Sequence, residues 1–397
     1  MTGGAVTHRE GTVSRETVQG QGPPQLLVSR ETRARDAVRL RSRTRKLSES
    51  RRERACGLLP TIDATEHPYI RVTCTDGEKR AAWHGVGFCG HVWSCPVCSA
   101  RIRAERAARV VAAVRGIGGR WCMLTITVRH AQGMALERLY KGLTTSWRRT
   151  RQGGRIQRVW TSRVRASVRA TEVTHGQNGW HPHLHVLLAT DGFTRSERRA
   201  LWKRYRRMVR EELGDACLPL EGVAMHWSKG FEADSTDARW LASYVSKFSC
   251  EVSGVAKDRA GGATPWEVAD RASRGDHGAL RLWSEYVSTT RGRRAVELDD
   301  RAAAAADDYL ERQREKNDEA SEGKSDDGHI EAQEVEVKRD ELRSLRLYER
   351  KRPTIMWDVL HAAEVWGEQG VRALIAVAQL STGTGPPAVV TWYARAG

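Results

Sequence analysis

Ala170-Thr-Glu172-Val-Thr174-His175-Gly-Gln-Asn-Gly179-Trp-His181-Pro-His183-Leu-His185-Val-Leu-Leu188 decides how this chain folds. Successive side chains of a strand take opposite faces, so His183 and His185 project to one side about 7 Å apart, while Leu184 and Val186 point into a core. Upstream, Glu172 and Thr174 alternate with Val173 in the same way, and His175 to Gly179 supplies turn residues. A hairpin that sets Thr174 opposite His181 also sets Glu172 opposite His183, with Cβ atoms about 5 Å apart. Two imidazoles and one carboxylate then share a face. That set leaves positions open for water and phosphate oxygens, and it suits a divalent ion, Mg²⁺ or Mn²⁺, acting as a Lewis acid on a phosphodiester. A lone histidine is more often structural, but three at two-residue spacing entering an apolar strand favour ligation. His181 is the third candidate, at a point where Pro182 bends the chain.

Outward from the hairpin, strands interleave with helices. Trp121 to Arg129 is apolar and β-branched and predicts a buried strand, whereas Arg101 to Val114, Ala135 to Arg151, Arg195 to Leu213 and Ala238 to Phe248 predict helices. The fold class is α+β with a largely antiparallel sheet. On the last of these helices Tyr244 and Lys247 lie three residues apart and are surface neighbours. An ammonium there lowers the phenol pKa and binds a phosphate oxygen, which serves a phenolate that attacks phosphorus. Taken alone, such a pair is more often a packed aromatic with a lysine lying along it.

Ahead of the hairpin stands Cys74-(x14)-Cys89-Gly-His-Val-Trp-Ser-Cys95-Pro-Val-Cys98. The Cys95-Pro-Val-Cys98 turn has the spacing that aims two thiolates at one tetrahedral Zn²⁺, and Cys89 is near enough to be a third ligand. Cys74, His84, His91 and Cys56 compete for the fourth place. Cys74 is preferred, because four thiolates make a closed structural site.

The chain has 397 residues with 66 Lys and Arg against 49 Asp and Glu, a formal charge of +17, and a mean hydropathy of −0.57. No apolar run approaches the ~18–20 residues that span a bilayer, so no membrane role is expected. The first residues lack the apolar core of a secretory signal, which predicts a cytoplasmic protein whose cysteines stay reduced. The charge is unevenly spread. Arg30 to Arg54 carries eleven bases against four acids, while Glu297 to Glu341 carries seventeen acids against seven bases. The expected organisation is a disordered basic arm over 1–55, a zinc module with a basic helix over 56–115, a catalytic domain over 116–296, an acidic linker over 297–350 and a small helical tail over 351–397. Arg148 to Arg169 holds eight arginines and no acid, and Arg195 to Arg210 adds more, with Trp202 and Tyr205 interleaved. Charge runs are usually solvated faces. Beside a phosphodiester site they predict a nucleic-acid track, with Arg148, Arg149, Arg155, Arg199, Arg206 and Arg207 as phosphate contacts.

Leu124-Thr-Ile-Thr127, then Glu172-Val-Thr with Trp180-His-Pro-His183-Leu-His185, then Tyr244-Val-Ser-Lys247 follow the order seen in HUH endonucleases. Over roughly residues 74–296 the chain resembles the replication initiators of rolling-circle plasmids of Gram-positive bacteria, actinobacterial ones in particular. The resemblance implies a five-stranded antiparallel sheet with the tyrosine helix beside the histidine strand. It implies that Tyr244 attacks single-stranded or extruded origin DNA, leaving a 5′-phosphotyrosine and a 3′-OH primer, with the ion on His183, His185 and Glu172. Host helicase and DNA polymerase are the implied partners. One departure concerns termination: a glutamate expected four residues before the tyrosine is Trp240 here, and Asp237 is the substitute candidate. A rolling-circle transposase would often carry a second tyrosine where this chain has Phe248, and a conjugative relaxase would place its tyrosine before the histidines. A zinc-dependent DNA-binding regulator without catalysis is the alternative of another class.

Overall fold

The computed structural model describes residues 30–61, 67–75, 77–220, 224–234, 262–322 and 332–384. Its helices are α1 (Arg30–Thr44), α2 (Arg51–Arg54), α3 (Pro96–Ile117), α4 (Leu136–Thr150), α5 (Gly154–Arg163), α6 (Arg195–Leu213), α7 (Pro265–Ser273), α8 (His277–Thr290), α9 (Asp300–Glu322), α10 (Arg339–Tyr348) and α11 (Ile355–Thr382). Its strands are β1 (Tyr69–Thr75), β2 (Glu78–His84), β3 (Arg120–Thr127), β4 (Ala166–Gly176), β5 (Gly179–Ala189), β6 (Met225–Trp227), β7 (Phe231–Glu232), β8 (Gly262–Ala263), β9 (Val296–Leu298) and β10 (Gln333–Glu336).

The hairpin of β4 and β5 forms in the register read from its sequence, with Thr174 opposite His181 and Glu172 opposite His183. Its turn needs glycine. Gly179 has φ +83°, and a Cβ there would stand 3.2 Å from the Ala131 carbonyl oxygen. β3 pairs with the other side of β5, setting Thr125 opposite His185 and Thr127 opposite His183. The sheet runs β6-β3-β5-β4-β8, with β7 also on β3 and β9 also on β4. The pairings are antiparallel, but the sheet has seven strands where five were expected. The added strands are two or three residues long, too short for any alternation to show in sequence.

Alternation gives the sheet two faces. Leu124, Ile126, Val173, Leu184, Val186 and Leu188 face α4, α6, α7 and α8 in the main core. Each fully buried leucine or isoleucine there contributes about 1.5–3 kcal/mol relative to exposure. Trp121, Met123, Val168, Ala170 and Leu187 face α3 and α9 on the other side. The two covering helices touch closely, since a Cβ on Gly116 would lie 2.3 Å from the Ala305 carbonyl oxygen. This second cover extends over one end of the face. The other end carries Thr125, Thr127, Glu172, His181, His183 and His185.

A second sheet, β10-β1-β2, packs under α10 and α11 around Ile70, Val72, Val335, Leu345, Ile355 and Val359. The polar segments are therefore structured where they are described. Residues 30–55, expected as a disordered arm, form α1 and α2 and bury Ala37, Arg41 and Glu53. Arginine composition misled here because Arg41 and Arg45 both pair with the fully buried Glu349 of the C-terminal body. In place of an acidic linker over 297–350 the chain supplies part of β9, then α9, β10 and α10. The alanine run gives α9 the small face that fits against α3, and its acids stay outside. Of the residues after 350, Ile355–Thr382 form a helix pair broken at Gly367 (φ 60°, ψ −147°), as the glycines suggested, and this pair roofs the second sheet.

Candidate metal centre and its supports

Glu172 lies at the point where two histidines of the neighbouring strand meet. Its Oε2 accepts from His183 Nε2 and, at 2.9 Å, from His185 Nε2. All three side chains are mostly buried, and their ligand atoms lie within 4.8 Å of one another. Burial works against the Glu172 charge, but the hydrogen bonds and positive charge of the two imidazoles outweigh it, and its carboxyl is held well below the usual range. The donor set fits a divalent ion: both Nε2 atoms already aim at the carboxylate, so an ion takes the place of the protons between them. The other nitrogen of His185 is held as well, since Nδ1 lies 3.2 Å from Thr125 Oγ1. A hydrogen bond at Nδ1 fixes the tautomer that leaves Nε2 free to ligate.

His181 stands outside this group. Its Nε2 bonds Thr127 Oγ1 at 2.9 Å, and its ring stacks on His130 at 4.6 Å between centroids. Burial, together with His183 and His130 and against Glu172, lowers its pKa to about 4, so it stays neutral. The bend expected at Pro182 is absent, since β5 pairs with β4 in unbroken register through it. Thr125, Thr127 and His130 were not singled out as site residues from sequence. The alternation of Leu124-Thr-Ile-Thr127 carried the signal for the threonines, because a strand beside the histidine strand presents every second residue to it.

The cysteine cluster is Cys56, Cys89, Cys95 and Cys98, all buried. Cys56 and Cys98, and Cys89 and Cys98, stand 3.5 Å apart, and Cys95 and Cys56 3.6 Å. A tetrahedral ion about 2.3 Å from each sulfur requires sulfurs about 3.8 Å apart, so the cluster fits Zn²⁺. Backbone N–H groups of Cys89, Gly90 and His91 point at the sulfurs of Cys56, Cys98 and Cys89, at 3.4 to 3.5 Å. Hydrogen bonds from the Cys56, Cys89 and Cys95 thiols hold Cys98 far below the ordinary thiol range. The expected ligand Cys74 belongs instead to β1, opposite Lys79, and is not in the cluster. Cys56 replaces it because the loop after α2 pairs with the loop after β2, through Gly57 N to Gly87 O at 2.8 Å and Gly87 N to Leu59 O at 2.8 Å. Of the other competitors, His91 bonds Glu53 at 2.9 Å and His84 stacks on Tyr69.

Tyr244, Lys247, Asp237, Trp240 and Phe248 lie outside the described residues. The arginines expected to flank the site sit elsewhere: α4 and α6 pack on the sheet face opposite Glu172, His183 and His185. Arg149 pairs with Glu211 and Glu212, and Arg207 lies 3.8 Å from Glu211. Arg148, Arg155, Arg199 and Arg206 form no ion pair among the described residues.

Residues 80–211 match the replication-protein family Rep_1. The match covers about a third of the chain. The matched stretch holds Glu172, His183 and His185, both threonines and three of the four clustered cysteines, but neither Cys56 nor the C-terminal body. The chain is similar to a "Protein rep" of Streptomyces lividans, 30% identical across 54% of this chain and 62% of that one. It is also similar to a "Neomycin resistance protein" of Streptomyces cyanogenus, 32% identical over 29% and 33% of the two chains. A "Protein rep" of Bacillus amyloliquefaciens is 32% identical over 30% and 37%. The chain thus spans about six-tenths of the first relative and a third or so of the others. No solved structure matches it significantly.

Proposed function

We propose that this chain is a replication initiator that starts rolling-circle replication of a plasmid by nicking one origin strand. The observation that supports it most is the meeting of Glu172, His183 and His185 at one point on the end of a sheet face that α3 and α9 leave uncovered among the described residues. Glu172, His183 and His185 hold Mg²⁺ or Mn²⁺, which when bound polarises the scissile phosphodiester. Thr125 orients His185, and neutral His181 adds no competing charge beside the ion. Tyr244 attacks phosphorus, forming a 5′-phosphotyrosine while the sugar 3′ oxygen leaves as the primer hydroxyl, and Lys247 stabilises the phenolate and a phosphate oxygen. Asp237 activates the closing step, and later strand transfer reverses the same chemistry. The cysteine cluster holds Zn²⁺ as a structural staple. The substrate is single-stranded or extruded origin DNA, Arg148, Arg155, Arg199 and Arg206 on the far face of the sheet contact backbone well beyond the nick, and helicase and polymerase of the host take over at the primer.

The test is a covalent adduct. Purified protein incubated with Mn²⁺ and a single-stranded origin oligonucleotide should yield a protein–DNA species on a denaturing gel, and Tyr244→Phe should abolish it. An adduct that persists in Tyr244→Phe removes the assigned nucleophile, and no adduct from the wild type removes the mechanism.

A further inference from the structure

On the side of the sheet away from the metal ligands, a cavity of about 360 Å³ opens between the end of α4 and the edge strand β9. Arg148, Arg151, Ser167, Arg169, Glu297 and Asp299 are among the residues that line it. Its acids are already committed. Glu297 pairs with Arg169 at 2.6 Å. Asp299 Oδ2 accepts from Ser167 N and Oγ at 2.7 and 2.9 Å, and its Oδ1 caps α9 by accepting from Ala302 N at 2.9 Å.

The remaining cations are different. Arg151 lies over Trp147 and Trp160, 5.3 and 5.5 Å from their ring centroids, and forms no ion pair among the described residues. Its Nε is shut off from solvent with no hydrogen-bond partner there. A buried charged donor without an acceptor is costly, so a guanidinium clamped this way is a receptor held ready for an anion. Arg148, exposed at the rim one turn earlier, adds a second unpaired guanidinium. The cavity is large enough for a phosphate with its sugar. We propose that it binds a phosphate ester, with Arg151 as the fixed donor and Arg148 as the rim cation. The phosphate belongs either to a free nucleotide or to the backbone of a nucleic-acid strand. Either way the site is separate from the nicking centre and does not depend on Tyr244.

Trp160 beside Arg151 provides the readout. Tryptophan fluorescence of the full chain is titrated with inorganic phosphate, with dGMP and with a short single-stranded oligonucleotide, and acetate serves as the control anion. Saturable binding of phosphate and dGMP is expected. It should weaken at least about tenfold in Arg148→Ala and in Arg151→Gln, the loss of one charge-assisted contact. Arg149→Ala, whose guanidinium is held by Glu211 and Glu212, should bind as the wild type does. Manganese binding should be the same in all of them. Displacement of dGMP by the oligonucleotide assigns the phosphate to a strand, and retention of dGMP assigns it to a free nucleotide. The proposal is overturned if the wild type binds neither phosphate nor dGMP, or if folded Arg148→Ala binds both as tightly as the wild type does.

Discussion

Replacing Thr125 by valine removes one hydroxyl and leaves the shape of the strand unchanged. The lost contact is the 3.2 Å bond to His185 Nδ1. A net hydrogen bond is worth about 0.5–1.5 kcal/mol, or about 2–12-fold in a binding constant. Loss of the partner that orients a ligating histidine costs about 10–100-fold. The two ranges meet near tenfold, and that is the expected weakening of Mn²⁺ affinity, read from free Mn²⁺ by electron paramagnetic resonance. Valine suits a strand at least as well as threonine, so the free energy of unfolding read from denaturant should change by less than about 1 kcal/mol. Thr125→Ser keeps the hydroxyl and should restore binding. Thr127→Val removes the bond to His181, which is outside the triad, and should change Mn²⁺ affinity less than about threefold. If Thr125→Val binds Mn²⁺ within twofold of the wild type while Glu172→Gln does not bind it, the tautomer argument is wrong. Equal losses in the two valine variants would also refute it, because a general loosening of β3 would then explain both.

Cys56→Ser should lower the bound zinc from about one equivalent to a small fraction, measured by elemental analysis, whereas Cys74→Ser should retain it. Glu349→Leu leaves Arg41 buried without its partner, and unfolding in denaturant should show a loss of about 3–5 kcal/mol. Adding Arg41→Met should recover most of that loss, and a double variant no better than the single one would contradict the pairing. Gly116→Ala forces α3 and α9 apart and should cost about 1–3 kcal/mol in the same assay, since the added methyl meets the backbone of Ala305 and no flexible side chain.

The parts legible in the sequence were those with a short-range period. Alternation over Glu172 to Leu188 gave both strands, their register and the meeting of Glu172, His183 and His185, though not the separation of His181 from them, because in a two-residue turn the partner of each residue follows from the turn itself. Arg195 to Leu213 was readable as a helix from its composition, and Thr194 with Glu197 caps it reciprocally. What failed depended on distant pairings. Cys56 reaches the cluster through a loop contact that no spacing encodes, and Glu349 neutralises arginines some three hundred positions earlier. Charge was the least reliable guide, since similar runs of arginines served as buried ion pairs at Arg41 and Arg45 and as an aromatic-stacked cation and an exposed rim at Arg151 and Arg148.

The pairing of β1 with β10 has a consequence for the order of folding. Ile70 finds Val335 across the sheet, so the second body cannot close until the ribosome has released residues that follow almost the whole seven-stranded body. Until then the apolar side of β1 and β2 stays uncovered, while the long hairpin that carries the metal ligands can already pair within itself. Synthesis thus separates the two bodies in time: the ligand hairpin forms early from neighbours, and the Arg41–Glu349 clasp closes last. A chain stopped before Gln333 would keep the ligand hairpin but expose an aggregation-prone edge at β1.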